Sequence, residues 1–398
     1  MSTVVLQAPW ARAAADVSEP AQPPVVSAEL APYRDKLAEG RRLTREDGLA
    51  LFGVRDLLGL GRLAQWFARR KHGRTVYYVN NGHINYSNYC TLSCAFCSFY
   101  RRKGKDRRDG GYEMNLEQVF DEAGKIYARG GTEAHVVGGL HPDFPFEYYT
   151  EMLRGIRARY PKLGLKCFTA IEVYHIAGLK KLSVGETLQA LKEAGLDSLP
   201  GGGAEILDDR LRDVICKGKE TSAEWLDLHR TAHRLGLPSN ATLLHGHYET
   251  LEQRIDHLLQ LRALQDETGG FLAFIPLSYH PEHNSLKVEH GPTGMQELRM
   301  YAVSRLLLDN FPHVKSYWIM LGLATAQLAL GYGASDMDGT VLQEKIYHMA
   351  GASTPQALSV DELHHLIEET GGVPVERNHL YRRIRRGSGG PLDWDIEA

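Results

Sequence analysis

Between about residues 75 and 345, short apolar runs of strand length alternate with longer stretches whose apolar positions recur every three to four residues. The strand-like runs are 83–87, 133–137, 165–171, 197–199, 239–244, 272–276, 316–319 and 327–330. The helical stretches between them are 115–129, 146–160, 183–194, 223–235, 251–267 and 293–310. Their ends carry the expected punctuation. Asn115 suits an N-cap, Gly130-Gly131 stops the same helix, and Ser183 with Glu186 three residues on reads as a capping box closed by Gly195. This alternation predicts parallel strands joined by crossover helices, and eight strands close a (β/α)8 barrel of TIM type. Residues 31–70 read as helical before the barrel, with Thr44 and Asp47 as a cap, and 341–349 and 360–370 read as helical after it. The expected organisation is a flexible leader (1–30), an N-terminal helical segment (31–74), the barrel (75–345) and a C-terminal helical extension with tail (346–398).

The strand ends say more than the strands. A cysteine-bearing loop follows the first, Gly138-Gly139-Leu140-His141-Pro142 the second, and Glu172 ends the third. Gly201-Gly202-Gly203-Ala204-Glu205 follows the fourth, His245-Gly246-His247 the fifth, His280 the sixth, and a loop with Asp336 and Asp338 the last. Ionisable and Gly-rich segments thus gather at the carboxyl ends of strands, the face where barrel enzymes do chemistry. Asp336 and Asp338 suit an N-cap slightly better than a sugar hydroxyl. The basic run 382–386 reads as a solvated end.

Composition removes other classes. A net charge of −3 over 398 residues gives no reason to expect nucleic acid or an anionic membrane as partner. No apolar run approaches the roughly 20 residues that span a bilayer, and no secretory signal pattern opens the chain. Five cysteines, an odd number with three clustered, argue against a disulfide framework and fit a reducing cytoplasm. Cys167 and Cys216, far from the cluster in sequence, read as small buried hydrophobes.

The clustered three, Cys90, Cys94 and Cys97, are spaced C-x3-C-x2-C. Iron–sulfur cubanes usually take four thiolates, so three leave one iron with an open position. A structural zinc or cluster site in a non-catalytic protein is the rival reading, with His83 as a fourth ligand. With Phe96 just before the third cysteine, the loop resembles the signature of the radical S-adenosylmethionine (SAM) superfamily. The resemblance implies a [4Fe-4S] cluster on the three cysteines, with SAM on the open iron and cleaved to a 5′-deoxyadenosyl radical. It also implies that Gly138 and Gly139 approach the SAM amino group, that Glu172 holds its ribose, and that Phe96, Gly202 and Glu205 line its site.

Further segments extend the resemblance: 81–86, 198–205, 245–250, 264–270 and 333–340 are similar to the subgroup of futalosine-pathway and deazaflavin enzymes. Segments 135–142 and 347–352 resemble most closely the aminofutalosine synthase family of menaquinone biosynthesis, with the cyclic dehypoxanthinylfutalosine and deazaflavin-forming families as alternatives. The activity implied is addition of the adenosyl radical to 3-[(1-carboxyvinyl)oxy]benzoate, giving aminofutalosine, methionine and bicarbonate, with a flavodoxin or ferredoxin as electron donor. That substrate is an aromatic dicarboxylate, so Arg210, His245, His247 and His280 are the candidate catalytic and carboxylate-binding residues, with His141 beside them.

Overall fold

The computed structural model describes residues 22–104 and 110–397; the greater part of the leader lies outside the described residues. Helices α1 (Ala31–Ala38), α2 (Arg45–Gly53) and α3 (Leu57–His72) precede the first strand, and Thr44 and Asp47 form the capping box of α2. The barrel starts with one strand in two pieces, β1 (Thr75–Val79) and β2 (Asn81–Ile84). It continues through α4 (Leu116–Ala128), β3 (Glu133–Val136), α5 (Phe146–Arg159), β4 (Gly164–Cys167), α6 (Ala170–Lys180) and α7 (Val184–Ala194). After α8 (Asp209–Ile215) and α9 (Ser222–Arg234) come β5 (Ser239–His245), α10 (Leu251–Thr268), β6 (Phe271–Ser278), α11 (Gly294–Leu307) and β7 (His313–Val314). Then follow α12 (Trp318–Leu321), α13 (Leu323–Ala329), a 3-10 turn (Leu330–Tyr332), β8 (Asp336–Gly339), α14 (Ile346–Met349) and α15 (Val360–Glu369). Three strands end the chain: β9 (Val373–Arg377), β10 (Ile384–Arg386) and β11 (Trp394–Ile396).

The staves close in sequence order. β2 pairs β3, β3 pairs β4, β5 pairs β6 and β6 pairs β7, all parallel. The short fourth stave is the bridges of Ser198 to Lys166 and of Leu199 to Ser239. Lys315 bridges Asp336, β8 pairs β1, and Gly82 bridges Leu342, which completes the ring. The expected eight-strand barrel is therefore present. The helices wrap it because their caps are set: Asn115 with Gln118, Ser183 with Glu186, Thr221 with Glu224, Thr250 with Gln253 and Thr293 with Gln296 all form capping boxes.

The last two staves differ from expectation. Residues 327–330, read as the eighth strand, lie in α13 and the turn after it, and half of 316–319 (Trp318 and Ile319) lies in α12. Both runs are apolar with no polar alternation, and such runs pack equally well as helices against a core. The true staves are His313–Val314, only two residues long, and Asp336–Gly339, masked by its aspartates. Asp336 and Asp338 are fully or nearly fully buried, in ion pairs with Arg377 and Lys315, rather than capping a helix. The basic run 382–386 is also not a free tail: 384–386 is a hairpin strand and Arg386 pairs with Glu376.

The C-terminal extension is stitched to the barrel. β9 pairs in parallel with β1 from Thr75↔Val373 to Val79↔Arg377, on the edge that β8 leaves open. Arg377 is fully buried and donates from Nε to Asp336 Oδ2 at 2.5 Å, with Glu133 3.6 Å away. Lys166 reaches Glu133 at 2.6 Å and Lys315 reaches Asp338 at 2.5 Å. Three cations and three carboxylates thus cancel inside the barrel, which is how buried charge is tolerated. Above them the rings of His83 and His135 stack, centroids 4.5 Å apart. A Cβ on Gly82 would meet Ile126 of α4, so Gly82 faces outward and the alternating residue His83 faces in.

Candidate active site

The loops at the carboxyl ends of the staves are hydrogen-bonded to each other around the cysteine loop. Cys90 N donates to Arg101 O at 2.9 Å and Thr91 N to Leu140 O at 3.0 Å. Ala95 N donates to Ile215 O at 2.7 Å, while Ala95 O accepts from Ser285 N at 2.8 Å. Ser98 Oγ donates to Glu282 O at 2.8 Å. The loop that bears the three thiols is thereby clamped from the β3 side, from α8 and from the loop after β6. Phe96 is half-buried against the core.

Cys90, Cys94 and Cys97 are all partly accessible, unlike Cys167 and Cys216, which are fully or nearly fully buried. Burial pushes all three loop thiols up, and the nearby Lys219 ammonium pulls Cys90 and Cys94 back. Among the described residues no three Cys, His, Asp or Glu side chains already converge on a metal-sized point. The donor set nevertheless fits an iron–sulfur cluster with one open iron: three thiols on one short loop, with a cation beside them.

Gly138 and Gly139 are there for space. A Cβ on Gly139 would run into the Tyr89 carbonyl and come within 3.1 Å of the Cys90 Cβ. A Cβ on Gly138 would lie 2.6 Å from the Tyr86 ring. Without side chains, the loop after β3 can lie directly on the cysteine loop, with Gly139 N donating to Ser87 O at 2.8 Å.

Glu172 does not end a strand. β4 stops at Cys167, Phe168 takes a positive φ of 64°, and Glu172 sits in the first turn of α6. Its Oε1 accepts from Tyr86 Oη (2.7 Å) and Gly138 N (2.9 Å), and its Oε2 from Thr169 N and Oγ1 (both 2.7 Å). Burial pushes the carboxyl up, and those four donors oppose it. The group that the sequence assigns to the SAM ribose is thus committed to holding Gly138 in place.

Glu205 has φ 48° and accepts from Lys219 Nζ at 2.6 Å, rather than from Arg210 or Arg212. Burial works against the Lys219 charge, but Glu205, Glu220 and the thiols of Cys94 and Cys216 outweigh it and hold the ammonium above the ordinary lysine range. Lys219 is missed by a reading confined to strand ends, because it comes from the α8–α9 turn. Gly202 lines the same loop, 3.0 Å from the Thr169 methyl if it carried a Cβ. Arg210 is exposed on α8, whereas Arg212 turns in to the Glu220 carbonyl.

The histidines separate. His245 is fully buried and turns to Glu297 of α11, its Nε2 3.3 Å from Oε2; alternation along β5 puts it on the face opposite Leu244. His141 is buried between Glu113 (2.6 Å) and the amides of Asp143 and Phe144, a loop brace. His247 stays at the mouth, with its Nε2 3.1 Å from Leu244 O and the Glu249 carboxylate 3.2 Å from Nδ1; burial lowers it. His280 bonds Met320 O at 3.0 Å and faces the Tyr347 ring, centroids 6.3 Å apart. Burial raises the Tyr347 hydroxyl, and the nearby charges of Glu205, Glu344 and Cys97 add to the shift.

A barrel mouth that clamps a three-thiol loop between two space-making glycines and a buried lysine–glutamate pair is matched by known families. Residues 84–261 match the radical SAM superfamily model, and residues 268–387 match the CofH/MqnC C-terminal region. The chain belongs to the radical SAM superfamily, in the group that carries this C-terminal region. It is 46% identical to the aminodeoxyfutalosine synthase of Thermus thermophilus, over 89% of this chain and 96% of that protein. Identity to the Streptomyces coelicolor aminodeoxyfutalosine synthase is 44%, over 89% and 94%. A 5-amino-6-(D-ribitylamino)uracil–L-tyrosine 4-hydroxyphenyl transferase of Methanococcoides burtonii is 39% identical over 86% and 96%. Among solved structures, methylornithine synthase superposes with a TM-score of 0.69 at 18% identity, covering 85% of this chain and 96% of that one, a likeness of fold. Among the described residues no helix is long and apolar enough to cross a membrane.

Proposed function

We propose that this protein is an aminodeoxyfutalosine synthase: it joins the adenosyl group of SAM to 3-[(1-carboxyvinyl)oxy]benzoate, with loss of methionine and bicarbonate. The carrying observation is the three-thiol loop held at the mouth of a closed barrel, in a chain 46% identical to a synthase of that name over almost that protein's full length. When bound, a [4Fe-4S] cluster with SAM on its open iron supplies the electron that releases an adenosyl radical for addition to the substrate's vinyl carbon. Cys90, Cys94 and Cys97 would hold that cluster. Gly138, kept in place by Glu172 and Tyr86, and Gly139 would let SAM approach the backbone beside the cysteine loop, and the Lys219–Glu205 pair sets the charge there. His247 and His280 lie beside the mouth, each with Nε2 on a backbone carbonyl, and help to shape the substrate site. A small one-electron carrier such as flavodoxin or ferredoxin reduces the site.

The test is anaerobic incubation of the iron-loaded protein with dithionite, SAM and the enolpyruvyl benzoate, with nucleoside analysis of the products. An adenosyl adduct is expected. Release of free 5′-deoxyadenosine as the sole nucleoside would instead favour the cyclase or the hydroxyphenyl transferase class. An absent spectral response to SAM would remove the radical enzyme reading altogether.

A further inference from the structure

The cations at the barrel mouth can be sorted by what already neutralises them. Lys219 is held by Glu205, Arg212 by Glu220 and backbone carbonyls, and Arg254 by Glu249. Lys103 lies between Glu113 and Asp143, while Arg101 and Arg102 are turned onto carbonyls of the cysteine loop. His348 is paired with Glu344. Inside the barrel, Lys166 and Lys315 have their own carboxylates. The ammonium of Lys345 is different: it makes no ion pair with any described residue, and its contact is the Tyr112 ring, 4.3 Å from Nζ to the centroid.

Its place is fixed by the chain after β8. That segment climbs alongside β2: Val341 N donates to Asn81 Oδ1 at 3.0 Å, His83 N to Leu342 O at 2.9 Å, and Lys345 N to Asn85 Oδ1 at 3.3 Å. Asn81, His83 and Asn85 alternate on the inward face, so Lys345 sits one step above the barrel interior. Glu344 is no counter-ion for it, because that carboxylate caps α14, accepting from Ile346 N at 2.7 Å and Tyr347 N at 3.0 Å. One aromatic ring, Tyr112, carries the ammonium on its face; its hydroxyl donates to Asn85 O, and the ring packs edge-on against Phe99, two residues beyond Cys97. Tyr347, two residues on from Lys345, packs edge-on against Tyr317.

We propose that Lys345 receives one carboxylate of the aromatic dianionic substrate, whose ring lies against the Tyr112 and Tyr347 side chains. The proposal rests on the function proposed above. A dianion entering a mouth whose half-buried and buried lysines are otherwise matched by carboxylates needs an uncommitted cation close to the aromatic wall, and the exposed Arg210 on α8 has no such wall beside it. An ammonium resting on an aromatic face meets that need without a desolvated counter-ion to displace.

The test compares wild type with Lys345→Gln and Lys345→Arg as iron-loaded enzymes, reading KM for 3-[(1-carboxyvinyl)oxy]benzoate and its calorimetric Kd in the presence of SAM. Neither quantity depends on the fraction of enzyme loaded. Lys345→Gln is expected to raise both roughly 10- to 100-fold, the worth of a charged hydrogen bond, and Lys345→Arg to recover most of the loss. The two monomethyl esters identify the carboxylate: wild type should lose the same factor with one of them, and Lys345→Gln should no longer distinguish that ester from the diacid. A KM and Kd within twofold of wild type for Lys345→Gln overturns the inference, as does unchanged discrimination against both esters. Failure of the wild type itself to form an adduct from the diacid would instead sink the parent reading and this one together.

Discussion

Replacing Glu172 distinguishes a scaffold from a ligand. The carboxylate accepts four hydrogen bonds within 2.9 Å, two of them from backbone amides, Gly138 N and Thr169 N, which have no other described acceptor nearby to turn to. Glu172→Gln keeps the shape but presents an NH2 where one oxygen was. The hydroxyls of Tyr86 and Thr169 can rotate and accept instead; a backbone N–H cannot. One buried amide is therefore left facing a donor, a cost of about 1–3 kcal/mol. Glu172→Ala strands both amides and breaks the α6 capping box, a cost of about 3–5 kcal/mol out of the 5–15 kcal/mol of a typical domain. Urea unfolding followed by circular dichroism, with iron-free protein for each variant, reads these values without any cofactor present. The order wild type, Gln, Ala is expected, with the KM for SAM rising in the same order as Gly138 loosens. If Glu172→Gln unfolds like wild type while its KM for SAM rises tenfold or more, the carboxylate is a direct ribose ligand and the argument from its four donors is wrong.

Three other outcomes are expected. Arg377→Met leaves Asp336 and Glu133 buried without their guanidinium, so it should cost about 3–5 kcal/mol in urea unfolding, partly restored by adding Asp336→Asn; a loss under about 1 kcal/mol would show that β9 is not needed to balance the barrel interior. The hydrogen bond that His348 donates to the Glu344 carboxylate holds the imidazole up at about 9, against an ordinary 6.5, so its contribution is complete below about pH 6.5 and is lost as pH climbs through 9. The melting-temperature gap between wild type and His348→Asn should accordingly shrink from pH 6 to pH 10, and a gap that stays constant would refute the pairing. Gly139→Ala drives a methyl into the Tyr89 carbonyl and the Cys90 Cβ, so iron per chain should fall well below wild type while far-UV circular dichroism is unchanged; full iron loading would show that the loop tolerates the shift.

The sequence by itself determined whatever depends on near neighbours along the chain. Capping boxes are three-residue signals, so Asn115, Ser183 and Thr44 announced their helices correctly. The C-x3-C-x2-C run needs no partner to be seen, and the glycine pair after an apolar strand marked a place of close approach. Alternation of periods was enough for the barrel architecture and its first six staves, though not for the last two.

What the sequence could not show is set by contacts between residues far apart. β8 reads Asp-Met-Asp-Gly, polar and unlike a stave, because its aspartates are matched by Lys315 and by Arg377, 41 residues beyond Asp336. Only the closed barrel reveals that those charges cancel. Likewise, position at a strand end does not say which way a side chain points. His245 and His247 differ by one pleat and a turn, and one faces α11 while the other folds back onto the Leu244 carbonyl. Glu172 was read as a strand-end carboxylate for the SAM ribose, but its place in the first turn of α6 and its four protein donors needed the fold. Lys219 and Lys345 come from a helix–helix turn and from the segment after the last stave. Their difference, one neutralised and one not, depends on where Glu205 and Glu344 are spent, and that is decided by tertiary structure alone.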